Sequence, residues 1–309
     1  GSLMTPWGLA RASTHQITLP ATDTLPELAL DISWAPAPSR AHTRAPPLVL
    51  YVLDPEPILF AAAALFAYST FGYFSALPST AEHGSGRLHV IGVGHAASEF
   101  SASPHGWDNC ALRQLRRRDF PPFEHPSIRA GRAANACSTR FVTALIEHVI
   151  PDVEGRLLGS STRPRRALLG ASYSAVIALQ VLQLHPAAFE WFVLGSPSVC
   201  FDPEILDTLA QMPFPPHDRT PGVFIAIGAE ERELLPADGD TRASPRAGNV
   251  HLDLPSGAED LARILRDRKL EVSWEELAAQ YTSICACRTG SVCCRWMACM
   301  RLSARTTLL

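Results

Sequence analysis

Apolar residues along this chain follow two rhythms. In "LVLYVLD" (48 to 54) and "RLHVIGVG" (87 to 94) successive positions are apolar on both faces, the pattern of strands covered from both sides in a parallel or mixed sheet. Strands are also predicted at 165 to 170, 189 to 198, 222 to 231 and 270 to 277. Residues 14 to 34 alternate imperfectly and predict an antiparallel opening pair. Between the strands the period lengthens: Phe141, Leu145, Ile146 and Ile150 recur at helical spacing, with Pro151 expected to end or bend that helix. Further helices are predicted at 58 to 68, 173 to 184, around 203 to 211, at 257 to 269 and from about 290. Strands separated by helices through most of the chain define an α/β class with a mostly parallel central sheet covered on both faces.

Neither a linker nor an internal repeat divides the pattern. Residues 14 to 285 are expected to form one domain, with 1 to 13 a tag remnant and N-terminal extension. Residues 286 to 309 form a Cys-rich, basic tail or helix. The stretch 95 to 130 and the segment 232 to 256 read as flaps over that domain, too short for a second one. A Pro-rich surface loop is expected in "APAPSRAHTRAPP".

Composition narrows the chemistry. The chain has 309 residues, 47% hydrophobic and 18% charged, enough for a large core. Its net charge of -3, with basic residues scattered apart from Arg116-Arg117-Arg118, offers no continuous basic face for nucleic acid. The apolar run at 59 to 74 falls short of the roughly 20 residues a membrane span needs, so no transmembrane segment is predicted. Of the 8 cysteines, Cys285, Cys287, Cys293, Cys294 and Cys299 crowd the tail without zinc-site spacing, so no metal centre is expected. The earlier cysteines form no secreted-protein scaffold, which favours a reducing, cytoplasmic setting. Gly92-Val93-Gly94 lacks the third glycine of a dinucleotide fingerprint. Oligomeric state is left open.

Chemistry in a covered parallel sheet collects at the carboxyl ends of the strands. There the chain carries Gly170-Ala171-Ser172-Tyr173-Ser174, close to the Gly-x-Ser-x-Gly pattern in which a sharp strand-to-helix turn exposes a serine hydroxyl. Ser172 is the candidate nucleophile, and the N–H of Tyr173 is a candidate oxyanion donor. The alternative is a serine that merely caps a helix. An activated serine needs a histidine held by an acid, in chain order Ser, acid, His. Glu231, ahead of Glu230, ends the following strand region and is the candidate acid. The loop after the last strand, 278 to 285, holds no histidine; all 11 lie at or before His251. His251 is the candidate base, reaching the site if its loop folds inward. His185 reads as a helix C-cap and His217 as a loop residue. His95, at a strand end, is a pocket candidate. Pro55 has no N–H, so Glu56 or a later amide is expected to give the second oxyanion donor, while Asp54 ties that loop. Phe71, Tyr73, Phe74, Trp107 and Tyr173 are candidates either for an apolar pocket, with Arg113 or Arg118 at its rim, or for the core.

The segments "YVLDPEPILF", "VIGVGHA", "RRRDFPP", "FVTALIEHVIPDVE", "RRALLGASYSAVIAL", "HPAAFEWFVLGSPS", "FIAIGAEE" and "DLARIL" occur in an order that resembles the esterase-D-like and siderophore-esterase-like branch of the α/β-hydrolase fold. The likeness runs over about residues 14 to 285. It implies a serine hydrolase of carboxylic esters, without a cofactor, acting on a small-molecule ester. The family nucleophile falls on Ser172 and its acid on Glu231. Its RxRD segment falls on Arg116, Arg118 and Asp119, which would order a wall of the pocket. Three positions depart from the pattern: a glycine becomes Pro55, the last glycine of the elbow becomes Ser174, and the catalytic histidine becomes Tyr281. All three departures lie at the site, so a catalytically degenerate hydrolase fold that binds a ligand or a protein is the second reading. The change in character of the tail begins close to Tyr281.

Overall fold

The structure, a computed structural model, describes residues 13–21, 27–35, 46–53, 88–95, 135–158, 163–199, 204–214, 220–228 and 254–277. Eight strands form one sheet: β1 (Ser13–Leu19), β2 (Leu28–Ala35), β3 (Leu48–Leu53), β4 (Leu88–His95), β5 (Arg165–Ala171), β6 (Trp191–Gly195), β7 (Gly222–Gly228) and β8 (Glu271–Leu277). Their order is β1-β2-β4-β3-β5-β6-β7-β8. The pairs β1–β2 and β2–β4 are antiparallel, and every pairing from β4 onward through β3, β5, β6, β7 and β8 is parallel. This mixed, mostly parallel sheet with flanking helices is the α/β-hydrolase fold. The predicted helices at 58 to 68 and from about 290 lie outside the described residues, as do the Pro-rich loop's interior and most of both flap segments.

Register assigns each strand residue to a face. Leu30 and Ile32, Tyr51 and Leu53, Ile91 and Val93, Leu168, Phe192 and Leu194, and Ile225 and Ile227 fall on one face by their cross-strand pairings, and all belong to one buried cluster. The opposite face carries Leu50, Val52, Val90, Leu169, Val193 and Ala226, also buried. Continuous apolar runs in the sequence therefore mean what they were read to mean. Both sides of each central strand leave water.

The described helices pack on the first face. The long helical segment is α1 (Asn135–Ala144), a π turn (Leu145–Val149) and α2 (Ile150–Leu158). Pro151 neither ends it nor replaces it with a loop, contrary to one of the two expectations. The Ile150 N–H donates to the Leu145 carbonyl, an i→i−5 bond. This wider turn lies immediately before a residue that has no N–H and whose ring crowds the carbonyl four residues back. The chain thus absorbs the proline within the helix.

Helix α3 (Tyr173–Leu184) follows β5 and is buried on nearly all sides from Tyr173 to Leu182. Its composition, apolar around the whole circumference, fits a central helix better than a surface one. It ends at His185, whose N–H donates to the Val181 carbonyl at 2.8 Å, so this histidine is the C-cap it was expected to be. Helices α4 (Glu204–Gln211) and α5 (Leu254–Asp267) complete the described set. Ala258, Leu261, Ala262 and Leu265 line the buried stripe of α5 at helical spacing. After it, Lys269 takes the left-handed conformation at φ 67°, with Leu270 N–H bonded to the Leu265 carbonyl and Lys269 N–H to that of Arg266. These two bonds form a Schellman motif that turns the chain into β8.

An ion pair fastens α2 to the sheet. The Arg166 guanidinium donates two bonds to the Glu154 carboxylate, at 2.6 and 2.7 Å, and Tyr51 donates its hydroxyl to the same carboxylate at 3.2 Å. Burial, and then the negative charge of Glu154, push the Tyr51 phenol well above its ordinary pKa, so it remains a neutral donor. The Tyr51 ring meets Phe189 edge-on at 5.9 Å, joining the polar cluster to the core.

Removing one member of this pair leaves a charge under cover. Arg166→Met should destabilise the protein by roughly 2–4 kcal/mol, whereas Arg166→Met combined with Glu154→Leu should recover most of the loss. Urea unfolding midpoints of the three proteins check both statements.

Candidate active site

β5 ends at Ala171 and α3 begins at Tyr173, so the whole turn between strand and helix is one residue, Ser172. Its backbone has φ 55° and ψ −114°. That is a conformation side-chain-bearing residues avoid, at a cost of about 1–3 kcal/mol. The hydroxyl makes no capping bond to the helix, although the residue occupies the N-cap position. The helix-capping alternative for Ser172 is therefore not what the chain adopts. Ser172 is partly exposed at the carboxyl edge, beside the partly exposed Ala171 and the buried Tyr173.

Gly170 makes the turn possible. A Cβ at this position would lie 2.6 Å from the Ser174 carbonyl carbon and 2.8 Å from the Ala175 nitrogen, both backbone atoms of the following helix. Strand and helix approach too closely for any side chain here. Ser174, where the family pattern has glycine, fits because its small side chain turns back: Oγ donates to the Ala171 carbonyl and accepts from the Ala171 N–H, both at 2.9 Å. The departure from glycine at 174 thus adds two bonds across the turn without blocking it.

The neighbouring strand holds the serine from the other side. Ser172 N–H donates to the Gly195 carbonyl at the end of β6 at 2.6 Å, and Ser198 N–H donates to the Ser172 carbonyl at 3.2 Å. Side chains meet as well, with 3.2 Å between Ser172 Oγ and Ser198 Oγ. The segment "GSPS" that carries Ser198 leaves β6 through a second strained residue, Ser196, at φ 42°. β6 is shorter than the predicted 189 to 198, ending at Gly195 because this turn begins there. Sequence reasoning noted "SPS" as a motif without giving Ser198 a place. The signal was available in outline, since the strand after the nucleophile's strand should lie beside it.

His95 ends β4 on the same edge, buried, with its ring 6.5 Å from that of Phe141. Val93 pairs with Leu53 and Val52 with Leu169, so His95 and Ser172 stand at the same height with the end of β3 between them. Two strand spacings put their backbones about 10 Å apart. Tyr173 is buried as the first residue of α3. The start of a helix directs its N–H groups out of the helix end, the disposition an oxyanion donor needs. Glu56, Trp107, Arg118, Asp119, Glu231, His251 and Tyr281 lie outside the described residues, and Asp54, Pro55 and Glu230 with them. Among the described residues no group of three or more His, Cys, Asp or Glu is placed to hold a metal ion. No described helix is long and apolar enough to cross a membrane.

Known structures share this architecture. The siderophore hydrolase EstA from Aspergillus nidulans superposes with a TM-score of 0.65 at 18% identity, over 94% of this chain and 95% of that one. The siderophore hydrolase EstB from the same organism gives 0.56 at 19%, over 86% and 88%. The BES protein from Bacillus cereus gives 0.55 at 20%, over 92% and 94%. At these identities the likeness is one of fold, an α/β-hydrolase fold of the kind esterase-like hydrolases use. No family model matches the sequence, and no curated protein sequence matches it.

The close approach at Gly170 carries a direct expectation. Gly170→Ala should force β5 and α3 apart, lowering stability by about 1–3 kcal/mol. Thermal melting of this variant beside Ser174→Gly, which meets no such crowding, measures the difference.

Proposed function

We propose that this protein is a serine hydrolase of carboxylic esters that works through an acyl-enzyme at Ser172. The observation that carries the reading is the backbone of Ser172: a strained, partly exposed serine between strand and helix, its hydroxyl not spent on capping. Strain of this kind persists only where surrounding structure enforces it, and it gathers at reactive positions. The fold of EstA, EstB and the BES protein supports the same reading, and the first two are siderophore hydrolases.

In this proposal Ser172 Oγ attacks the ester carbonyl carbon while its proton passes to a base. The tetrahedral oxyanion takes hydrogen bonds from the Tyr173 N–H and from an amide of the loop at Glu56. Collapse expels the alcohol, which leaves with the proton, and water then attacks the acyl-enzyme by the same route in reverse roles. His251 is the proposed base and Glu231 the acid that orients it. His95, Trp107, Arg118 and Asp119 are assigned to the substrate pocket. Because Tyr281 occupies the family's histidine position, and a phenol with a pKa near 10 is a poor acceptor at neutral pH, turnover is expected to be slow. The absence of any histidine beyond residue 251 favours a second reading, a ligand-binding or protein-binding module on a hydrolase fold.

Incubation with a fluorophosphonate followed by peptide mass spectrometry separates the two. The hydrolase reading expects an adduct on Ser172 that is lost in Ser172→Ala; an unlabelled Ser172, with a control hydrolase reacting normally, supports the binding module instead. Short-chain p-nitrophenyl esters test the base. Tyr281→His should raise kcat roughly 10²-fold, and His251→Ala should abolish the wild-type rate. An unchanged rate in His251→Ala removes that histidine from the mechanism.

A further inference from the structure

We propose that Ser198 is a positioning residue for the nucleophile, its O–H donating to Ser172 Oγ and favouring the deprotonated oxygen. The inference rests on the hydrolase reading above and adds to it a hydroxyl that lies outside the proposed triad and oxyanion donors.

Ser198 is 2% exposed, so its hydroxyl is cut off from bulk water and must find its partner within the protein. Ser172 Oγ is such a partner at 3.2 Å. The geometry by itself allows either oxygen to donate, and the chemistry selects one direction. For acylation the proton of Ser172 must point toward a base, which leaves its lone pairs to accept from Ser198. A hydrogen bond donated to an oxygen on which negative charge develops stabilises that charge and so eases loss of the proton to the base. Ser198 keeps its own proton throughout. The proton that leaves is that of Ser172, and it goes to the base.

The backbone shows that this contact is built in. Ser196 sits at φ 42° with its N–H bonded to the Ala226 carbonyl at 2.7 Å, and Val199 N–H closes the turn on the Pro197 carbonyl at 2.9 Å. Ser198 N–H reaches the Ser172 carbonyl while Ser172 N–H reaches Gly195. The two serines are therefore joined through both backbone and side chain. Two of the three non-glycine residues with positive φ among those described, Ser172 and Ser196, belong to this junction.

The experiment measures the rate of fluorophosphonate labelling at Ser172 from pH 6 to pH 10 in wild type, Ser198→Ala, Ser198→Cys and Ser198→Thr, with thermal midpoints alongside. Ser198→Ala should label roughly tenfold more slowly at every pH, with the rising limb, which reports the base, in place and the melting temperature nearly unchanged. Ser198→Cys, close in shape but a weak donor, should show the same slowing, and Ser198→Thr, which restores a hydroxyl, should return toward the wild-type rate. If Ser198→Ala and Ser198→Cys label at the wild-type rate, the proposal is overturned while the nucleophile stands. If wild type itself fails to label, the nucleophile falls and this inference falls with it.

Discussion

The site depends on a missing atom. Because Gly170 has no Cβ, the end of β5 can press against the first turn of α3, and the backbone must reverse within the single residue between them. Compressing a turn to one residue forces that residue out of the ordinary regions of backbone space, and Ser172 accordingly takes a positive φ. The unusual conformation is thus a consequence of packing, since α3 is buried nearly all round and held in place by the sheet beneath it. Ser174 reinforces the turn by bonding both backbone groups of Ala171.

What surrounds the turn follows from sheet order. Placing β6 beside β5 brings the chain leaving β6 against Ser172, and placing β4 one strand away on the other side brings His95 to the same edge. Parallel strands all deliver their carboxyl ends to one rim, so residues distant in sequence converge without any of them being close along the chain. The ion pair of Glu154 and Arg166 does its work well below this rim, near the start of β5, and fixes α2 against the sheet.

Much of this was legible in the residues themselves. Runs with both faces apolar marked β3 and β4 because covered strands have no solvent face to advertise, and the 173 to 184 helix agrees with α3 residue for residue. Pro151 was harder. A proline predicts the loss of one backbone bond, but whether the helix stops or widens depends on the packing of Leu145, Val149 and Val153 against the core, a tertiary effect that local pattern does not contain. Ser198 was missed for a similar reason. Its importance comes from a 3.2 Å approach between two residues separated by a helix and a strand, and only the folded register creates that approach. Ser174 read as a weakened motif, and its hydroxyl proves to close the turn that glycine would have left open.

The burial of α3 has a dynamic consequence. A helix enclosed by sheet and neighbouring helices cannot loosen by local breathing, since exposing its flanks would mean dismantling the core on both sides. The turn that holds Ser172 is therefore tied at one end to a segment that opens only with the core itself. The backbone that carries the hydroxyl at 172 is thus founded on the core beneath it.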